Sequence, residues 1–259
     1  MSRLDLAQVT LIAATSINVE ATLLAIEACQ QQVRFADCKL LTHRRPARRL
    51  PDLQVVITPE IETSEEYSRF ILTELVDHVA TSHCLVVQWD GHVVEPTRWD
   101  PQFLEFDYVG ASWPQFTDGH DVGNGGFSLR SRRLLEACRS PQFTSSHPED
   151  VAIGRHNRSR LEAQGLRFAP REVADSFSAE RASSLESAFG FHGVWHMPRV
   201  IGADRFWDIY RGLEDRSSVY HDQTTIMRQL AVQPRGLSRC LRMVWDRVSE
   251  MAQLQKGQT

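Results

Sequence analysis

The chain of 259 residues predicts an α/β fold: a mainly parallel central sheet flanked by helices, followed by a helical C-terminal extension. Three stretches carry that reading. Val9 to Leu41 runs apolar segment, helix-spaced segment, apolar segment, which is the pattern of a βαβ unit with parallel strands. Cys84 to Val87 is an apolar run too short for a helix and rich in β-branched residues, so it reads as a buried strand. Val122 to Arg130 (VGNGGFSLR) sets three glycines in four positions before a short strand, so backbone passes close to a neighbour there.

Taken in order, Val9 to Ala14 is the first strand, and the polar turn Thr15-Ser16-Ile17-Asn18 caps a helix from Val19 to about Cys29. Ala21, Leu24, Ala25 and Ala28 repeat on one face of that helix. Cys38 to Leu41 and Leu53 to Ile57 are the second and third strands. Ser64 is the expected N-cap of the next helix, with Glu65 and Glu66 in the first turn where the helix dipole favours acids. Phe70, Ile71, Leu75 and Val79 continue its apolar face and deliver the chain to Cys84. Phe127 to Leu129 reads as strand, and Ser131 to Cys138 as helix. Pro148 suits the first position of a further helix with Glu149 and Asp150 behind it. Beyond Arg199, Ile201 to Leu213, Val219 to Leu230 and Arg239 to Leu254 are helix-compatible. The last is expected to pack on the main domain, with a partner-binding or membrane-surface helix as the alternative.

A hydrophobic fraction of 42% supplies one sizeable core. The net charge of −4 and the absence of a long basic tract argue against nucleic-acid binding. Arg44, Arg45, Arg48 and Arg49 form a local cluster suited to phosphate or to a solvated loop. Five cysteines (29, 38, 84, 138 and 240) without CxxC spacing read as reduced core thiols, hence a cytoplasmic protein. No window approaches the apolar length of a membrane span, so membrane contact is peripheral at most.

The residues that carry chemistry follow the central strand. That strand ends on Gln88-Trp89-Asp90-Gly91, which places a carboxylate at the sheet edge where α/β proteins bind ligands. An Asp-Gly pair also simply makes turns. Further on lie Asn124, Gly125 and Gly126, the acidic pair Glu149-Asp150, and Phe189-Gly190-Phe191-His192-Gly193. Glycines at a strand start, acids at a helix start and a histidine among aromatics each have ordinary structural explanations; their order along one chain is what raises them to site candidates.

With QWDG (88 to 91), FDYVGASW (106 to 113), GNGGFSLRS (123 to 131), PED (148 to 150) and FGFHG (189 to 193), the chain resembles the nucleotide-sugar glycosyltransferases of the GT-A fold. Within these it is most similar to a little-characterised bacterial GT-A-like family, over about residues 8 to 200. The resemblance implies a glycosyltransferase domain over 1–200, with a nucleotide half (8–83) and a catalytic half (84–200), before a helical extension (201–259). It implies a nucleotide-sugar donor, UDP-linked by preference, and a glycan or glycolipid acceptor. Thr15, Ser16, Asn18, Gln88, Trp89, Asp90, Asn124, Gly125 and Gly126 are implied at the nucleotide sugar. Asp90 and His192 would hold a divalent cation, Mn²⁺ or Mg²⁺, although Gln88 stands where the usual DxD motif has its first acid. Asp150 is implied as the base of an inverting transfer, with Glu149 beside it on acceptor hydroxyls. Two other classes fit some of the same residues. One is a metal-dependent phosphoester hydrolase using Asp90, Asn124, Asp150, His192 and His196; the other is a binding protein that keeps the fold without catalysis.

Overall fold

A strand with helices against both faces of its sheet has no polar side, and the longest strand of this chain shows that change along its length. In β1 (Leu4–Ala14) the first half is largely exposed, with Leu6 alone buried, whereas every residue from Val9 to Ala14 is buried. The computed structural model describes residues 3–257. α1 (Val19–Gln32) returns the chain so that β2 (Val33–Thr42) pairs parallel with β1, and β3 (Gln54–Ile57) adds parallel to β2. α2 (Ser64–Thr73) starts one residue earlier than Ser64 suggests. Its N-cap is Thr63, whose hydroxyl accepts from the Glu66 amide at 3.1 Å while the Glu66 carboxylate accepts from the Thr63 amide. Thr63 is the residue three places before a glutamate, and this reciprocal pairing selects it over Ser64.

β4 (His83–Val87) lies parallel on the other side of β1 and is buried throughout. The chain then makes the short strands β5 (Gly91–Val93), β6 (Tyr108–Val109), β7 (Ala111–Ser112) and β8 (Val122–Gly123) before β9 (Phe127–Ser131). β9 runs antiparallel to both β4 and β6, completing a six-stranded sheet in the order β3-β2-β1-β4-β9-β6. Ser131 caps α3 (Arg132–Cys138) by accepting from the Leu134 amide at 3.0 Å. α4 (Glu149–Val151), α5 (Arg158–Ala163) and α6 (Arg171–Phe177) follow, with Pro148 at the cap of α4 and not at its first helical position. β10 (Ser178–Ala179) and β11 (Gly190–His192) then join β5 in a small second sheet.

The core lies on both faces of the large sheet. One layer contains Leu11, Leu40, Leu85, Phe127 and Leu129 with Phe103, Phe177 and Phe189; the other contains Ile12, Leu41, Val86, Ile71, Leu75 and Leu135. Neighbouring residues of one strand fall in opposite layers, as the two-residue period of a strand requires. All five cysteines are buried and unpaired.

The chain divides into two compact units, Met1–His192 and Gly193–Thr259. The second is helical: α7 (Met197–Val200), α8 (Ala203–Gly212), α9 (Ser217–His221), α10 (Gln223–Ala231) and α11 (Gly236–Gly257). The segment expected as one helix from Val219 to Leu230 is two, broken at Asp222. Among the described residues no helix is long and apolar enough to cross a membrane.

Candidate functional site

Strand pairing alone brings the distant motifs to one place. β9 is antiparallel to β4 with Val87 opposite Phe127, so the end of β4 meets the start of β9. Gln88 therefore lies beside Gly126, and its amide donates to the Gly126 carbonyl at 2.9 Å. β11 is antiparallel to β5 with His192 opposite Gly91, which sets His192 next to the Asp90 turn. β10 runs parallel to β11 and ends just before Glu180, so that residue arrives at the same edge.

His192 is the centre of this group. Its Nδ1 is 3.3 Å from Glu180 Oε1, and its Nε2 is 3.3 Å from Gln88 Oε1 and 3.5 Å from Asp90 Oδ1. Burial works against charging the ring, but the carboxylates of Asp90 and Glu180 outweigh it and raise the imidazolium pKa to about 9. Gly126 is required by this packing: a Cβ there would stand 2.1 Å from His192 Nε2. Gln88 donates in turn to the Tyr67 hydroxyl at 3.1 Å.

The donor set fits the protein half of a divalent-cation site. A ligating histidine ordinarily gives its second ring N–H to a carboxylate; Glu180 at Nδ1 fills that role and leaves Nε2 facing Asp90. Asp90 and His192 would be the ligands, with phosphate oxygens and water completing the shell. Among the described residues no group of three or more His, Cys, Asp or Glu is placed to hold a metal ion.

The acidic pair is split by its surroundings. Glu149 is buried, its Oε1 3.1 Å from Nη2 of the fully buried Arg130, and its amide donates to Ser68 Oγ at 3.2 Å. Its carboxylate is the counterion of a buried arginine, and a buried charge without its partner is very costly. Gly125 lies against this pair, since a Cβ there would come within 2.1 Å of Glu149 Oε1 and 2.7 Å of Arg130 Nη2. Asp150, half-buried, accepts from the Asn124 amide at 3.1 Å and from its neighbour Val151 at 2.8 Å. Burial and then the charge of Glu149 raise its pKa to about 6, against the pull of those two amides and of Arg130. Asn124 takes up a left-handed backbone (φ 60°) to present its amide, and its side-chain oxygen accepts from the Trp113 indole at 3.0 Å.

The first strand-to-helix turn lines a neighbouring cavity of about 100 Å³ together with the β4 end: Thr15, Thr22, Tyr67, Gln88 and Trp89. Thr15 Oγ1 is engaged by the Ile17 backbone. Ser16 accepts from the Ile61 amide at 2.8 Å, and Asn18 is buried in a left-handed conformation (φ 56°) at the start of α1. The structure thus brings Thr15 and Trp89 to the cleft and gives Ser16 a structural partner. Glu180 and Arg130 were not singled out by the sequence. Arg130 stands inside a motif already noticed, in a strand whose neighbours are all apolar or small, and that burial was its signal; Glu180 carried none.

Residues 52–192 match the family model described as protein of unknown function (DUF5672). The chain belongs to the DUF5672 family. All of the site residues after β2 described above fall within the matched segment. No curated protein matches the chain. Among solved structures, this DUF5672 chain is similar to a mannosyltransferase from Pyrobaculum calidifontis in complex with GDP-Man and Mn²⁺, at 12% identity and a TM-score of 0.44, over 96% of this chain and 79% of that one. It is also similar to a glycosyltransferase involved in glycosylation of the major capsid of PBCV-1, at 14% identity and a TM-score of 0.47, over 78% of this chain and 98% of that one.

Proposed function

We propose that this DUF5672 chain is an inverting GT-A-like glycosyltransferase that moves a sugar from a nucleoside diphosphate sugar, UDP-linked by preference, to a hydroxyl of a glycan or glycolipid. One observation carries the reading. A half-buried carboxylate with a raised pKa, Asp150, shares a sheet edge with an acid-and-histidine group, Asp90 and His192, and bare glycine backbone lies between them.

The two ends of that edge suit the two ends of the reaction. Asp150, ionised at neutral pH yet more basic than an ordinary aspartate, takes the proton of the acceptor hydroxyl as its oxygen bonds to the anomeric carbon. The bond from that carbon to the β-phosphate oxygen breaks, and the nucleoside diphosphate leaves with its electron pair. Arg130 and Glu149 hold the start of α4 so that Asp150 keeps its place beside Asn124. At the leaving group, Asp90, His192 and Glu180 fix the geometry, and Gln88 ties them to Tyr67. Asp90 and His192 would hold a divalent cation, which when bound would supply positive charge to stabilise the departing diphosphate. The nucleoside lies against the edge lined by Thr15, Tyr67 and Trp89, extending beyond the small cavity between them.

Incubation with UDP- and GDP-sugars, with and without Mn²⁺, while following release of the nucleoside diphosphate, tests the proposal. Release that needs Asp150 and rises with an added sugar acceptor supports it. Absence of release from every donor and acceptor tried, with the donor still bound, would leave the fold as a binding module.

A further inference from the structure

We propose that the outward face of α11 is a dimerisation surface through which two copies of this chain pair helix against helix. The helix is oriented opposite to the usual arrangement, in which the apolar stripe is buried. Its inward side carries its polar contacts: Arg239 pairs with Asp204, Asp246 accepts from the Tyr210 hydroxyl at 3.0 Å, Glu250 pairs with Arg216 at 2.8 Å, and Arg247 donates to Gln223 at 2.9 Å. Among its described residues, Met243 and Cys240 are the buried hydrophobics. The outward side holds Leu237 and Leu241, each 73% exposed, Trp245 at 67%, and Val244, Val248 and Met251 at 45–57%.

The spacing of these residues selects the occupant. Leu237, Leu241, Val244, Val248 and Met251 follow one another at steps of four, three, four and three, the heptad seam along which one helix packs on another. At 1.5 Å per residue the seam is ~21 Å long. A helix lying in a lipid interface instead flanks a broad apolar face with lysine and arginine. Here the exposed flanks carry Ser238 and Arg242 on one side and Arg247 on the other, and the two arginines are tied to Asp246 and Gln223. The six exposed side chains form one continuous apolar stripe, an arrangement that soluble monomers seldom leave uncovered and that a partner of matching shape would bury. A single self-complementary stripe closes on itself by two-fold symmetry, so a second copy covers both surfaces at once. The inference is independent of the catalytic reading, because it rests on the second unit alone.

Sedimentation velocity of the full chain over about 1–100 μM tests it. The expected species has twice the chain mass of 29.5 kDa, and the doubly substituted Leu241→Glu/Val248→Glu chain sediments at half the mass of the native protein, with unchanged far-UV circular dichroism. Trp245→Lys, also at an exposed position, should weaken association in the same direction and provides the test should the double variant fold poorly. A native chain that stays monomeric across the range overturns the proposal. If that monomer floats with phosphatidylserine-containing vesicles, the face belongs to a lipid surface. Variants that remain dimeric overturn it too, placing the contact elsewhere.

Discussion

Replacing Asp150 by asparagine should cut turnover steeply while making the protein more stable at neutral pH. The folded protein raises this carboxyl from the ordinary 3.8 to about 6, so the native state binds its proton more tightly than the unfolded chain does. Stability therefore falls as pH rises from about 4 to about 6 and stays lower above that, by ~3 kcal/mol if the whole difference is expressed. Asparagine removes the buried charge but has one acceptor oxygen where the aspartate has two, and those two serve the amides of Asn124 and Val151. Losing one such bond costs ~1 kcal/mol, so the net gain is about 1–2 kcal/mol, or roughly 3–6 °C in Tm for a domain of this size. Calorimetry from pH 4 to pH 8 should show the gain at pH 7 and above and none at pH 4. Turnover should fall by about 10² to 10⁴ with donor affinity nearly unchanged, because only a transition-state interaction is removed. The native enzyme should lose activity on acidification with a midpoint near pH 6. A variant that is less stable at every pH, or that still turns over at the native rate, would show that Asp150 merely starts a helix.

Three further substitutions probe the supports of the site. Arg130→Met leaves Glu149 buried beside no counterion and should cost ~3–5 kcal/mol by urea denaturation, most of it regained in Arg130→Met/Glu149→Gln; additive losses would show that the two do not act as a pair. Gly126→Ala puts a methyl where His192 Nε2 now lies, and nucleoside diphosphate affinity should drop as far as in His192→Ala; unchanged affinity would remove His192 from the diphosphate. Glu180→Gln keeps the shape of the side chain that orients His192 Nδ1 but removes its charge, and Mn²⁺-dependent affinity should weaken ~10–100-fold, a loss that cation-independent affinity should not share.

The strands around Val9 to Ala14 and Cys84 to Val87 were legible because both faces of the sheet are covered, which leaves an unbroken apolar run. The start of β1 was not, since Asp5 and Gln8 interrupt it; pairing of Leu4 with Val33 makes it strand. β10 and β11 are two and three residues long, too short for any periodicity, yet they place Glu180 and His192. The two acids of the pair take different roles from the resemblance alone, because nothing in the sequence shows that Arg130 is buried against Glu149. The spacing in α11 announces an amphipathic helix, but a sequence does not say which face looks out.

The central claim is that the edge at Asp90 receives a nucleoside diphosphate, and isothermal titration calorimetry of the full chain with UDP and with GDP tests it most directly. The account predicts binding of at least one of them, tightened by Mn²⁺, with the Mn²⁺ effect lost in Asp90→Ala and retained in Asp150→Asn. No heat of binding from either nucleotide with Mn²⁺ present, or a Mn²⁺ effect that survives Asp90→Ala, would contradict it.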